Sequence, residues 1–170
     1  MSAGWSTERL RSMSVGAWIR EGWQRLSAWP GGSRLFDRAL GFAIPYTGAL
    51  GAQIITLESG HARIRLTERR AIRNHLNSIH AIALANLAEL TGNLALAYSL
   101  PDDGRFIVTG LSIEYLKKAR GVIHAECRCD PPTSAERCEY ELQIDITDAN
   151  QAVVARAVLK TLVSPVPKGT

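Results

Sequence analysis

The hydrophobic positions of the chain change their period at Pro45. Before it they recur at helical spacing, which predicts an amphipathic helix over residues 13–29 and a short second helix over residues 34–42. Pro30-Gly31-Gly32 separates the two, and Ser33 is a candidate cap for the second helix. After Pro45 hydrophobic and polar residues alternate, which predicts β-strands.

The alternating part of the chain predicts an antiparallel hairpin, one long helix and then a run of strands. The hairpin comprises residues 47–57 and 61–66 around a turn at Gly60, and a largely apolar helix is expected over residues 78–99. Four strand-like runs follow, and Asp148-Ala149-Asn150 forms the tight turn between the last two. In the first of these runs the residues expected to share one face are Ile107, Thr109, Leu111, Ile113 and Tyr115.

This order of elements predicts an α+β fold in which a curved antiparallel sheet wraps around a long central helix. The 170 residues suit one globular domain. Within it, residues 1–44 are interpreted as a helical N-terminal extension packed on the domain formed by residues 45–170. The tryptophans of the first helix favour packing on the domain over a membrane-surface role.

Composition narrows the class of protein. A hydrophobic content of 46% and only 3 cysteines exclude a disordered, collagen-like or disulfide-stapled chain. The net charge of +4 is compatible with a phosphorylated ligand but too small to indicate nucleic acid binding. Residues 1–10 lack the apolar stretch of a secretion signal, and polar residues interrupt the apolar region 79–100, so we expect a cytoplasmic protein without a membrane span.

The candidate chemistry lies where the long helix begins. Ser78 is a plausible N-cap, which leaves the backbone amides of His80, Ala81 and Ile82 without helical partners. Such amides, together with the helix dipole, stabilise a phosphate or a carbonyl oxygen that becomes an oxyanion.

A polar stripe marks the middle of the same helix, because Asn86, Glu89 and Asn93 are spaced three and four residues apart. A buried carboxylate costs several kcal/mol unless it is paired, hydrated or used in chemistry. Glu89 is therefore a candidate functional group. The alternatives are that it lies on a solvent-exposed edge or pairs with an arginine.

A metal site is not expected. His75 and His80 are five residues apart, which does not place two imidazoles on one side of a helix. Cys127 and Cys129 are interpreted as small core residues. The chain has neither a nucleophile elbow nor a glycine-rich phosphate loop, and no cofactor is predicted.

One group of residues resembles a known family. Asn74, His80 with the small Ala81 after it, and the acidic Glu89 nine residues beyond that histidine resemble the active-site helix of hotdog-fold acyl-CoA thioesterases of the phenylacetate-degradation type. Residues 111–117 resemble the following strand of that family. The N-terminal helices are more similar to an uncharacterised bacterial branch of the same superfamily.

The resemblance covers residues 45–164 and implies a hotdog fold, with acyl-CoA bound between the subunits of a homodimer or a dimer of dimers. The amide of Ala81 would polarise the thioester carbonyl. Glu89 of the partner subunit would activate water or attack directly, while Asn74 and His80 would orient the water or the thioester. The family usually has Gly at the Ala81 position and often Asp at the Glu89 position.

Two basic clusters are candidates for the phosphates of coenzyme A, one before the long helix and one after the strand expected beside it. The alternative is ordinary solvated charge. The polar and basic residues expected to contact the substrate are Asn86, Asn93, Arg69, Arg70, Arg73, Lys117, Lys118 and Arg120.

These observations favour a thioesterase acting on a fatty or aromatic acyl-CoA. The alternative is a non-catalytic acyl-CoA- or lipid-binding module, which Ala81 in place of the usual glycine motivates. A dehydratase on the same fold ranks lower, because the helix acid has no obvious histidine partner for handling two protons.

Overall fold

A computed structural model describes residues 13–167 of the chain. The helices in this range are α1 (Val15–Ser27), α2 (Gly32–Ala43), α3 (Pro45–Gly48) and α4 (Ala81–Tyr98), and a single 3-10 turn spans Arg70–Ile72. The strands are β1 (Gln53–Glu58), β2 (His61–Thr67), β3 (Gly104–Tyr115), β4 (Val122–Arg128), β5 (Cys138–Thr147) and β6 (Val153–Pro165).

The strands form one antiparallel sheet in the order β1-β2-β4-β5-β6-β3, and α4 contacts every one of them. The predicted α+β class, with a sheet packed around a central helix, is confirmed. Small residues of α4 permit close packing. A Cβ atom on Gly92 would lie only 2.8 Å from Cδ2 of Leu159, so even a methyl group there would require the Leu159 side chain to move.

Three predicted element boundaries are wrong. The first strand begins at Gln53 rather than at residue 47, because Pro45 occupies the first turn of α3, where a proline costs no hydrogen bond. Ser33 does not cap α2; Gly31 does, with a φ of 78° that favours glycine. The central helix begins at Ala81 rather than at Ser78.

The face predicted for β3 is partly wrong: Leu111, Ile113 and Tyr115 share a face as expected, but Ile107 lies on the opposite one. The pairing of β3 with β6 shifts register between Val108 and Gly110, so one extra residue, Thr109, interrupts the alternation. Phe106 and Ile113 pack against the core from either side of this bulge. The residues left exposed on β3, an edge strand of the sheet, include Ile107, Leu111 and Tyr115.

The N-terminal helices α1 and α2 contribute to the same hydrophobic core as the sheet. The ring of Phe36 lies 5.6 Å from that of Trp23 in an edge-on arrangement and 5.6 Å from that of Trp18. Trp29 lies beyond the end of α1 and is 73% exposed. Across residues 13–167, none of the helices is both long and apolar enough to cross a membrane.

Candidate active site

The loop before α4 is held by Asn74. Its Oδ1 accepts hydrogen bonds from the amides of Leu76 and Ser78, at 2.9 and 3.2 Å, and from the Ser78 hydroxyl at 3.2 Å. Asn77 within this loop has a φ of 53°. The side-chain NH2 of Asn74 has no acceptor within residues 13–167, so it remains able to donate to a bound molecule.

His80, and not Ser78, caps α4. Its Nδ1 accepts a hydrogen bond from the amide of Ile82 at 3.1 Å, which places the proton of a neutral imidazole on Nε2. Ser78 is instead buried in the loop, where its hydroxyl donates to the Asn74 side chain and its carbonyl accepts from the Asn74 amide. The sequence misplaced the cap because histidine is an uncommon N-cap residue and serine a common one.

Of the three backbone amides expected to lack a partner, only that of Ala81 lacks one within residues 13–167. The amide of His80 donates to the Ile72 carbonyl at 2.8 Å, and that of Ile82 is taken by the His80 side chain. The amide of Ala81 has no acceptor in the described part of the chain. It therefore stands at the positive end of the helix dipole, ready to donate.

A tyrosine that the sequence did not single out fixes the same turn. The hydroxyl of Tyr115, at the end of β3, donates to the Ala81 carbonyl at 3.1 Å. Burial raises the pKa of Tyr115 above its usual value, so the phenol stays protonated and keeps this bond at neutral pH. The only signal in the sequence was that an aromatic residue ends the strand.

The polar stripe of α4 divides into three different environments. Oδ1 of Asn86 accepts from the Thr47 hydroxyl at 3.1 Å, and Oδ1 of Asn93 is buried without a partner in residues 13–167. The Glu89 side chain is exposed in the single chain and has no hydrogen bond or ion pair with any described residue. Of the alternatives that the spacing left open for Glu89, the single chain shows the solvent-exposed edge and not an arginine partner.

Ala81 and Glu89 are too far apart to act on one carbonyl group from the same chain. They are eight residues apart on α4. At the usual helical rise this separation is about 12 Å along the axis. A group that accepts from an amide and meets a base must lie about 3 Å from each.

The two basic clusters lie next to each other. The amide of Gly121 donates to Oε2 of Glu68 at 2.6 Å, while Oε1 of the same carboxylate pairs with Arg73. The Gly121 amide, with Arg73 and Arg120 beside it, lowers the pKa of Glu68. Within residues 13–167 the exposed basic side chains without a partner in this region are Arg70 and Lys118.

The other basic residues already have partners. The Arg69 guanidinium donates to the Ala49 carbonyl, and that of Arg120 donates to the Leu76 carbonyl at 3.4 Å. Lys117 pairs with Asp148 at 3.2 Å. Arg120 is thereby held at the loop before α4, and the bonds of all three side chains reduce the number of donors left for a phosphate.

The structure has a pocket of about 540 Å³ between α2, α3, β1 and α4, which the sequence did not indicate. Residues of α2, α3 and the start of β1 form its walls, and Leu90 of α4 closes it. Inside it, Oδ1 of Asp37 accepts from the Ile54 amide at 3.2 Å. Burial raises the pKa of Asp37 to about 6, although this hydrogen bond opposes the shift.

Other candidate groups are not brought together. His75 is exposed in the loop, and Cys127 is buried in the core. A hydrogen bond with Cys129 and burial raise the pKa of the Cys127 thiol. No group of three or more histidine, cysteine, aspartate or glutamate side chains among the described residues could hold a metal ion.

The sheet order, the central helix and the loop that precedes it define a hotdog fold. A family model described as a domain of unknown function (DUF4442) matches residues 32–163, and the chain belongs to this family. The match begins inside the N-terminal helical segment. No match was found among curated proteins.

Solved structures resemble the chain over most of its length. A structural-genomics protein is 27% identical and covers 88% of this chain and all of its own, with a TM-score of 0.76. A Pseudomonas aeruginosa protein of unknown function, named a probable thioesterase, is 26% identical over 81% of this chain and 97% of its own, with a TM-score of 0.69.

A thioesterase from Haemophilus influenzae is 18% identical, with a TM-score of 0.64, and covers 72% of this chain and 85% of its own. At that identity the similarity establishes the fold alone. The resemblance to hotdog proteins is confirmed, while membership of the phenylacetate-degradation-type branch stays a prediction.

Proposed function

We propose that the protein is a thioesterase that hydrolyses a fatty or aromatic acyl-CoA. The observation that carries this proposal is that the Ala81 amide and the Glu89 carboxylate, both on α4, have no partner among residues 13–167. Thioester hydrolysis requires an oxyanion donor and a general base. The Pseudomonas protein named a probable thioesterase supports the assignment.

The distance between the two groups requires a second chain. In the proposed homodimer the partner subunit's Glu89 lies beside Ala81, and the two-fold axis creates an equivalent second site. In each site the amide donates to the thioester carbonyl oxygen, and the carboxylate takes a proton from water as its oxygen attacks the carbonyl carbon. The tetrahedral intermediate then expels the coenzyme thiolate, which takes up a proton.

The remaining site residues have supporting roles. The proton on Nε2 of His80 and the free NH2 of Asn74 are donors that orient the water or the thioester. The basic surface around Arg70 and Lys118 lies by the same loop and attracts the coenzyme phosphates.

The activity is tested with purified protein and a panel of octanoyl-, palmitoyl- and phenylacetyl-CoA. We expect release of free thiol, followed with a thiol reagent, at rates well above hydrolysis in buffer for at least one class. A rise in melting temperature with acyl-CoA but no thiol release for any member of the panel would support the alternative, a non-catalytic acyl-CoA-binding module.

We propose that the two subunits join through β3, an edge strand that leaves Ile107, Leu111 and Tyr115 exposed, and a charge on this edge tests the contact. Leu111 is 38% exposed on this edge strand, where apolar residues otherwise remain in water. Leu111→Lys is expected to convert the dimer to monomers in sedimentation experiments and to abolish thiol release. Ile55→Lys is the matched control, since Ile55 is 46% exposed on the opposite edge strand β1. This variant should leave the dimer and the rate of thiol release unchanged. A dimeric, active Leu111→Lys protein would contradict this arrangement.

A further inference from the structure

Two arginines at the pocket beside α4 have no side-chain partner in the described part of the chain. Arg34 and Arg38 are one turn apart on α2, line the pocket and are exposed. Neither side chain forms an ion pair or a hydrogen bond with residues 13–167, in contrast to Arg69, Arg73 and Arg120. Two guanidinium groups at this spacing can both donate hydrogen bonds to a single anionic group.

Apolar side chains form part of the pocket wall, beside the polar Asp37, Thr47 and Gln53. Leu40, Ile54 and Leu90 line it and are only 6%, 5% and 9% exposed. Its volume of about 540 Å³ lies within the range of small-molecule sites. A ligand that fits both parts has a hydrocarbon body with an acidic group at its end.

The pocket also lies next to the proposed general base. Leu90 follows Glu89 directly on α4, and Thr47, another residue of the pocket wall, donates to Asn86 of the polar stripe. The thioester carbonyl carbon must lie by the base, so this pocket is close enough to receive the acyl chain. The strongly hydrated phosphates of the coenzyme lie on the other side of the thioester and suit an open surface better than a pocket with apolar walls.

We propose that this pocket binds the acyl chain of a dicarboxylic acyl thioester, with the terminal carboxylate held by Arg34 and Arg38. The inference rests on the proposed function and specifies its substrate class. It departs from the simple fatty or aromatic acyl groups that the resemblance implies, because those groups would leave both guanidinium groups unused.

Asp37 does not oppose this assignment. It lies on the same face of α2 as the two arginines, and its carboxyl is already easier to protonate than that of an exposed aspartate. A bound carboxylate nearby favours the protonated form further. The protonated Asp37 then donates a hydrogen bond to the ligand instead of repelling it.

The test compares pairs of CoA thioesters of equal carbon number, adipyl with hexanoyl and suberyl with octanoyl. We expect the wild-type protein to prefer the dicarboxylic member of at least one pair in kcat/KM. In the variant Arg34→Gln/Arg38→Gln, kcat/KM should fall about 10- to 100-fold for that dicarboxylic thioester, because charged hydrogen bonds are lost. For the monocarboxylic thioester of the same pair it should change little. Arg137→Gln, at an exposed arginine outside the pocket, is the control.

A second measurement separates this proposal from the hydrolytic function. Calorimetry with free adipate and suberate should show binding to the wild-type protein that the double variant loses, even if no thioester is hydrolysed. The proposal is overturned if the wild-type protein shows no preference for dicarboxylic thioesters and binds neither diacid. It is also overturned if the preference or the binding persists in the double variant.

Discussion

Replacing Glu89 by glutamine is expected to lower kcat for thioester hydrolysis by about 10²- to 10⁴-fold, the usual contribution of a general base. Glutamine has nearly the same shape but cannot accept the proton of the attacking water. Because Glu89 is exposed and unpaired in the single chain, the substitution should leave the melting temperature unchanged. Thiol release under saturating substrate, with a parallel thermal melt, measures both quantities.

The control for this variant is Glu139→Gln, which changes an exposed glutamate on β5. It should retain the full rate. If Glu89→Gln retained the wild-type rate as well, Glu89 would not be the base, and the proposed mechanism would be wrong.

Replacing Ala81 by proline is expected to lower kcat by about 10²- to 10³-fold, as the loss of one oxyanion donor does elsewhere. Ala81 is the first residue of α4, where proline is well tolerated. His80 before it has φ −65° and ψ 141°, a conformation that suits the residue preceding a proline. The substitution therefore removes the backbone N–H proposed to hold the carbonyl oxygen while keeping the helix.

The matched control is Ala81→Gly, which keeps the amide and should remain active. A stronger test mixes the two inactive variants, Ala81→Pro and Glu89→Gln. In a mixed dimer one site receives its intact amide from one chain and its intact carboxylate from the other, so random exchange should restore about a quarter of the wild-type activity. Recovery of no activity from refolded mixtures would argue against a site shared between subunits.

Much of the fold follows from local patterns in the sequence. Alternation placed Leu142, Ile144 and Ile146 inside and their neighbours outside, and the structure confirms this burial. The long apolar run also predicted the central helix. The failures occur where one residue changes the local geometry, as Thr109 does by adding a bulge to β3 and Pro45 does by starting α3.

The candidate site was predicted in part. Spacing identified Ala81 and Glu89, and the structure leaves the amide of the first and the carboxylate of the second without partners among the described residues. Spacing did not identify Tyr115 or Thr47 as site residues, because both reach α4 from elements distant in the sequence. The pocket around Arg34 and Arg38 was missed for the same reason.

The sequence by itself determined the fold class, the central helix and the identity of the residues on its polar stripe, because hydrophobic periodicity and helical spacing are local properties. The tertiary structure alone decided which helix amide is free, that Glu89 is exposed in one chain, and where a pocket lies. The physical reason is that hydrogen-bond partners and enclosed volume depend on residues brought together from distant parts of the chain. Three contacts or groups depend on such distant residues: the Ile72 carbonyl that accepts from the His80 amide, the Tyr115 hydroxyl that donates to Ala81, and the arginines of α2 at the pocket.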